Sequence, residues 1–184
     1  MSRKPRPAFP GTHTSDEVAA MIRVDHAGEY GAVRIYEGQM AVLGARKSDT
    51  AEAIRHMAEQ EQRHLKAFDA LVNARRVRPT ALEPVWRAAG FALGAATALM
   101  GEKAAMACTA AVEEVIDDHY AAQVAKLGDT DPELKATVEE FRADEIAHRD
   151  AAIAHGAEQA PGYRLLSEAI KAGCRIAIKL SEKI

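Results

Sequence analysis

One pattern of acidic and histidine side chains occurs twice in this chain, and it limits the folds that the chain can adopt. Each half contains a single glutamate that is followed 32 residues later by a Glu-x-x-His motif. The six residues are Glu29, Glu61, His64, Glu113, Glu145 and His148. Each residue of the second half lies 84 positions after its counterpart, as Tyr120 does after Tyr36. The repeat therefore indicates two related halves that contribute to one site.

All six residues are predicted to lie on the apolar faces of helices. Along one predicted helix, Ile54, Met57 and Phe68 recur at helical spacing. Glu61 and His64 occupy the two positions of this stripe that precede Phe68. The same replacement of apolar by polar residues occurs in the three other predicted helices of the repeat. Because an isolated buried carboxylate is strongly unfavourable, these glutamates must be paired, protonated or bound to metal.

Four glutamates and two histidines on four facing helices can bind two iron ions. The i, i+3 spacing places the Glu and the His of each motif side by side on one helix face. One glutamate from each of two helices, with Glu-x-x-His from each of two others, is the ligand pattern of ferritin-like di-iron bundles. Carboxylate and imidazole ligands together suit iron or manganese. A buried polar network without metal is the alternative interpretation.

The composition favours a purely helical protein. Aromatic residues make up only 5% of the 184 residues, and the hydrophobic content of 48% is sufficient for a core. The net charge of −3 and the lack of a recognisable motif indicate no nucleic-acid partner. Cys108 and Cys174 lack the spacing of a thiolate metal site, and they suit a reducing compartment. We predict an all-α fold, namely a ferritin-like four-helix bundle with an internal two-fold repeat and additional membrane-associated helical segments.

The chain is predicted to consist of a flexible tail over residues 1–14 and a single ferritin-like di-iron domain over residues 15–184. Thr14 and Asp49 carry the capping signals that open the first two helices. These two helices are expected to run to about Leu43 and about Arg76. Asp131, which precedes a proline, opens the fourth helix of the bundle.

Two further segments are predicted to contact a membrane surface. The apolar segment 85–101 is too short for a comfortable membrane span, which needs about 20 residues. An interfacial or re-entrant segment, a buried core helix and a dimer interface all remain open for it. The last helix, residues 165–184, places Lys171, Arg175 and Lys179 on one face, as a basic amphipathic helix at a membrane does. Packing of that helix on the bundle is the alternative. We expect peripheral attachment to the cell (inner) membrane on its cytoplasmic side.

Several polar residues have no counterpart in the repeat. Asp25 and Asp144 are candidates for orienting the metal-binding imidazoles. His26 is interpreted as a structural residue near the site. The histidines expected to lie away from the site are His13, His56 and His155.

Two glycines flank Glu29 inside the first predicted helix. Each of them, Gly28 and Gly31, costs about 1 kcal/mol relative to alanine in a helix interior. We interpret them as positions where side-chain bulk is excluded. The space serves either a close helix approach or the entry of O₂ and a substrate.

Five stretches of the chain resemble the demethoxyubiquinone hydroxylases of ubiquinone biosynthesis. They are IRVDHAGEYGAVRIY, EQRHLKAF, ACTAAVEEVIDDHY, FRADEIAH and AGCRIAIKLSEKI, and in this order they cover nearly all of residues 15–184. The resemblance implies a membrane-associated di-iron monooxygenase that hydroxylates the ring of a demethoxy-polyprenyl quinol. It implies that the six repeated residues bind two iron ions per chain. It also implies that His119 and Tyr120 assist electron or proton delivery near the quinone.

The expected reaction uses O₂ as co-substrate and needs a source of electrons. Because the chain has no glycine motif of a dinucleotide-binding fold, electrons are expected from a partner reductase or from NADH bound in another way. A homo-oligomer and other proteins of ubiquinone biosynthesis are the expected protein partners. A ferritin-like iron-oxidising or peroxide-detoxifying protein is the alternative function. A membrane-bound scaffold that retains a ferritin-like bundle is a third hypothesis.

Overall fold

The computed structural model describes residues 14–184, and within that range it contains helices and no strands. The six α-helices are α1 (Asp16–Leu43), α2 (Asp49–Arg75), α3 (Glu83–Leu99), α4 (Glu102–Leu127), α5 (Pro132–Ala154) and α6 (Tyr163–Ser181). A 3₁₀ turn at Ala157–Gln159 separates α5 from α6. The all-helical prediction is therefore confirmed for these residues. The predicted tail falls on residues 1–14, and residues 1–13, His13 among them, lie outside the described residues.

The internal repeat extends over all six helices. Helices α4, α5 and α6 each begin within four residues of the position that lies 84 residues after the start of α1, α2 and α3. In the centre of the bundle, α1 packs along α2 and α4 packs along α5. On the outside, α3 packs along α1 and α6 packs along α4. The chain thus forms two halves of three helices each.

The interior of the bundle consists of two apolar layers with a polar layer between them. One apolar layer contains Met57 of α2, and the other contains Phe68 of α2 and Phe141 of α5. Glu61 and His64 lie between Met57 and Phe68 along the same helix face, and both are fully buried. Burial of the flanking apolar side chains therefore positions the polar residues inside the bundle.

Two helix starts differ by one residue from the prediction. The N-cap of α1 is Ser15, whose hydroxyl accepts the Val18 N–H, rather than Thr14. The N-cap of α2 is Ser48, which accepts the Ala51 N–H, so Asp49 is the first helical residue. In both cases a serine stood next to the predicted residue and satisfies the same free N–H groups. The prediction at Asp131 is confirmed, because its carboxylate accepts the Leu134 N–H at the start of α5.

The apolar segment 85–101 forms most of α3 and packs on the surface of α1. Three glycines allow the two backbones to approach closely. A Cβ added at Gly94 would lie 1.9 Å from the Ile35 carbonyl oxygen, and one at Gly38 would lie 2.2 Å from that of Phe91. A Cβ at Gly90 would lie 2.9 Å from a carbonyl oxygen of α1. Within residues 14–184, no helix combines the length and the apolar character that crossing a membrane requires.

Helix α6 differs from the prediction at Lys171. This side chain is buried, and its Nζ lies 2.7 Å from Glu114 Oε2 of α4. Lys171 therefore attaches α6 to the bundle, whereas Arg175 and Lys179 are exposed. The buried position was not predicted because Glu114, the partner, comes from a helix about 50 residues earlier in the chain.

Candidate metal centre

The structure brings all six repeated residues together in two overlapping clusters. Glu29 and His64 belong only to the first cluster, and Glu113 and His148 belong only to the second. Glu61 and Glu145 belong to both. In each cluster the candidate ligand atoms lie within 4.8 Å of one another, and all six residues are buried. Two metal ions could therefore bind side by side and share two bridging carboxylates.

Both histidines direct the same ring nitrogen toward the glutamates. His64 Nδ1 lies 3.0 Å from Glu145 Oε1 and 3.5 Å from Glu29 Oε2. His148 Nδ1 lies 3.1 Å from Glu61 Oε1 and 3.1 Å from Glu145 Oε2. Because the i, i+3 spacing places each histidine beside the glutamate of its own motif, the two helices α2 and α5 contribute equivalent ligand pairs.

The donor set fits two divalent cations. Several buried atoms of the clusters have no hydrogen-bond partner among the described residues. They are Glu29 Oε2, both carboxylate oxygens of Glu61, His64 Nδ1, Glu113 Oε2 and Glu145 Oε1. Buried polar atoms without a partner are rare and point to an ion or a ligand. Four ionised carboxylates would also balance the charge of two divalent cations, and oxygen with imidazole nitrogen suits iron or manganese.

Protons compete with metal ions for this site. Burial raises the pKa of three glutamates above the usual range, namely Glu29, Glu61 and Glu113. Burial also opposes the charge of Glu145, but the neighbouring His148 and His64 lower its pKa to about 2. Burial opposes the charged imidazoles, yet Glu145 and its neighbours raise the pKa of His64 to about 11 and that of His148 to about 9. A metal ion that binds these nitrogens must displace protons.

The outer nitrogen of each histidine has its own acceptor. His64 Nε2–H donates to Asp144 Oδ2 at 3.0 Å, and His148 Nε2–H donates to Gln60 Oε1 at 3.2 Å. A proton on Nε2 leaves the Nδ1 lone pair free for a metal ion. Asp144 thus holds the imidazole that it was expected to orient. Gln60 does the same in the other half, and its position 84 residues before Asp144 was the signal that could have identified it.

The repeated tyrosines connect the two halves. Tyr36 OH donates to Glu113 Oε1 at 2.9 Å, and Tyr120 OH donates to Glu29 Oε1. Each tyrosine therefore holds the glutamate of the opposite half. Burial and the neighbouring carboxylates raise the pKa of both phenols well above the usual range, so both remain donors.

Asp25 contacts a different imidazole from the one expected. It does not reach either histidine of the clusters; its Oδ1 lies 3.1 Å from His119 Nε2 and accepts from Gln123 Nε2 at 2.7 Å. In the other half, Gln39 takes the place of Gln123 and donates to Thr109 Oγ1 at 3.3 Å. Both glutamines are buried and were missed by the sequence analysis, although they also lie 84 residues apart.

The remaining described histidines lie outside the clusters. His26 Nε2 lies 2.9 Å from Asp69 Oδ1, which is consistent with a structural residue. His56 is exposed, and His155 Nδ1 contacts the Thr50 hydroxyl at 3.2 Å. None of the three belongs to either group of candidate metal ligands among residues 14–184.

An apolar cavity of about 530 Å³ adjoins the metal centre between α1, α3, α4 and α6. Its walls include Gly28 of α1, Val112 of α4 and Ile170 of α6. Gly28 directly precedes Glu29, and Val112 directly precedes Glu113. The backbone segments that present these two glutamates to the metal centre therefore also form walls of the cavity.

The glycines beside Glu29 line this cavity. Within residues 14–184, no atom lies within 4 Å of a Cβ added at Gly28 or at Gly31. Close helix approach occurs instead at Gly38, Gly90 and Gly94. Of the two interpretations of Gly28 and Gly31, the geometry favours open space for a ligand.

The fold and the site define a helical bundle with two overlapping clusters of carboxylates and histidines on its facing helices. Among known sequence families, the one described as Ubiquinone biosynthesis protein COQ7 matches residues 16–181. The chain belongs to this family.

Named relatives agree with this assignment. A protein of Rhodospirillum rubrum named 3-demethoxyubiquinol 3-hydroxylase is 59% identical over 163 residues, which cover 89% of this chain and 76% of the relative. The human protein named NADPH-dependent 3-demethoxyubiquinone 3-hydroxylase, mitochondrial, is 52% identical and covers 91% of this chain and 78% of its own length. A Caenorhabditis elegans protein of the same name is 41% identical, with 95% and 96% covered.

Proposed function

We propose that this protein hydroxylates the ring of a demethoxy-polyprenyl quinol in ubiquinone biosynthesis. A ring C–H becomes C–OH with one oxygen atom of O₂, and the other oxygen leaves as water after taking up two electrons and two protons. The observation that carries the proposal is the position of the apolar cavity directly beside the two carboxylate–histidine clusters. Family membership and the names of the relatives support the same reaction.

The six repeated residues are proposed to hold two iron ions, which supply the O₂ chemistry when bound. Glu61 and Glu145 would bridge the ions, because both residues belong to both clusters. Tyr36 and Tyr120 restrain the two outer glutamates by hydrogen bonds. The apolar walls of the cavity exclude water and accommodate a lipid-like quinol ring next to the clusters.

Electrons are proposed to come from a reduced nicotinamide cofactor or a partner reductase. The names of the human and nematode relatives specify NADPH, whereas the sequence analysis considered NADH. His119 and Tyr120 are proposed to assist proton or electron delivery. Tyr120 contacts Glu29 of the metal centre, and the partly exposed His119 stands beside it and contacts Asp25. These contacts support a route between the protein surface and the clusters.

We propose peripheral attachment to the inner membrane, on its cytoplasmic side, through α3 and α6. All the exposed large apolar side chains of residues 14–184 except Ile153 lie in these two helices or within three residues of their ends. Arg175 and Lys179 are exposed on the same part of α6 and can attract anionic lipids. The cavity is walled by the same two helices, so a quinol could enter it from the lipid.

Flotation with lipid vesicles tests the proposed membrane contact. The protein should float with vesicles that contain anionic lipids, and replacement of both Leu165 and Ile176 by serine should reduce the bound fraction. Both side chains are exposed, by 80% and 59%, so the replacements should not disturb the fold. Equal flotation of the variant would argue against α6 as the contact.

The quinone content of a deletion strain tests the proposed reaction. Cells without this protein should accumulate the demethoxy precursor, and the wild-type chain should restore ubiquinone. Normal ubiquinone in the deletion strain, together with altered iron storage, would instead support an iron-oxidising protein of the ferritin-like class.

A further inference from the structure

The two halves of the metal centre are not chemically equivalent. The repeat preserves all six candidate ligands and both tyrosines, but it differs at the residue that precedes each Glu-x-x-His motif. In one half this residue is Asp144, and in the other half it is Gln60. Both side chains accept a hydrogen bond from the outer nitrogen of a histidine in the opposite motif, at 3.0 Å for His64 and 3.2 Å for His148.

The acceptors differ in charge. The anionic carboxylate of Asp144 stands behind His64, and a neutral amide stands behind His148. Arg63 also donates to Asp144 and so fixes the orientation of this carboxylate. Position 147, which corresponds to Arg63 in the repeat, is an alanine. Only one imidazole is therefore held by an ion-paired carboxylate.

An anionic acceptor makes an imidazole a stronger ligand. When the outer N–H of a histidine donates to a carboxylate, electron density increases at the other ring nitrogen and the ring orientation is fixed. The loss of such a partner typically lowers metal affinity by about 10–100-fold. A neutral amide orients the ring but polarises it less, because hydrogen bonds to a charged group are stronger.

We propose that the half with Glu29 and His64 binds its metal ion more tightly than the half with Glu113 and His148, because Asp144 and Gln60 provide unequal acceptors behind the two imidazoles. At limiting metal, the His64 half fills first. Asp144 and Gln60 act as positioning residues that do not touch the metal. This inference rests on the proposed metal centre.

Titration with Mn²⁺ tests the inference on the full chain, with free Mn²⁺ measured by electron paramagnetic resonance. His148→Ala leaves the His64 half intact, and His64→Ala leaves the His148 half intact. Both variants retain all four glutamates, so the carboxylate charge is matched. We expect the His148→Ala chain to bind one Mn²⁺ at least about tenfold more tightly than the His64→Ala chain.

Isosteric exchanges then identify the cause. In the His148→Ala chain, Asp144→Asn should lower the affinity for Mn²⁺ by about tenfold or more. In the His64→Ala chain, Gln60→Glu should raise it by a similar factor. A gain of affinity cannot result from a damaged fold, so the second exchange remains decisive if the first variant is unstable.

Two outcomes separate this inference from the proposed function. If the wild-type chain binds two Mn²⁺ but the two single-half chains have equal affinities, or if Gln60→Glu brings no gain, the inequality is wrong and the metal centre remains. If the wild-type chain binds no Mn²⁺, the metal centre itself is wrong, and the inequality is overturned with it.

Discussion

Replacement of Gly28 should separate stability from activity. Gly28 lies inside α1, and no described atom lies within 4 Å of an added Cβ. Gly28→Ala should therefore gain about 1 kcal/mol from helix propensity, which corresponds to an increase in Tm of about 2–4 °C for a chain of this size. Gly28→Leu should extend into the 530 Å³ cavity beside Glu29 and exclude the substrate ring. A displacement of the ring by about 1 Å would lower turnover by about 10²-fold.

Thermal unfolding, iron content and the quinone content of a complemented deletion strain together measure this prediction. The Leu variant should bind as much iron as the wild type, because α1 keeps its course and Glu29 its position. Gly94→Ala is the matched control, since its Cβ would lie 1.9 Å from the Ile35 carbonyl oxygen. That overlap involves two backbones, so the variant should lose about 1–3 kcal/mol. A lower Tm for Gly28→Ala, or normal ubiquinone with Gly28→Leu, would refute the assignment of this cavity to the substrate.

Other predictions concern the metal centre. Glu113→Ala should reduce bound iron from two ions to about one, whereas Glu145→Ala should remove both, because Glu145 belongs to both clusters; equal losses in an iron analysis would contradict shared bridging. Binding of two metal ions at pH 7 should release at least two protons, since the pKa of His64 is about 11 and that of His148 about 9. Metal affinity should consequently rise with pH between 6 and 9, and a titration in weakly buffered solution that detects no proton release would contradict this coupling.

The sequence predicted the residues that meet at the site better than it predicted their pairing. The positions of Glu61 and His64 on an apolar stripe, together with the 84-residue offset, identified the polar layer, because helical periodicity is a local property. The bond from Tyr120 to Glu29 depends on how α4 lies against α1, which no local pattern encodes. The same holds for Asp25, whose partner is His119 of α4 rather than a histidine of the clusters.

The outer helices show the same limit. The apolar composition of 85–101 left several structures open, and the choice depended on the contact of Gly90 and Gly94 with the backbone of α1. In the second half, Cys174 and Ile178 stand at the positions that correspond to these glycines. Both of these larger side chains line the cavity, so α6 does not repeat the close contact of α3. The repeat therefore explains the cavity only when the two halves are compared in three dimensions.

Isotope labelling tests the central claim most directly. Membranes from the deletion strain supply the demethoxy precursor, and purified iron-loaded protein is added with a reduced nicotinamide cofactor under ¹⁸O₂. The account predicts a hydroxylated quinone that carries one new ¹⁸O atom, and no such product with Glu145→Ala. A product without ¹⁸O, or equal product from the Glu145→Ala chain, would contradict a hydroxylase that acts through this metal centre.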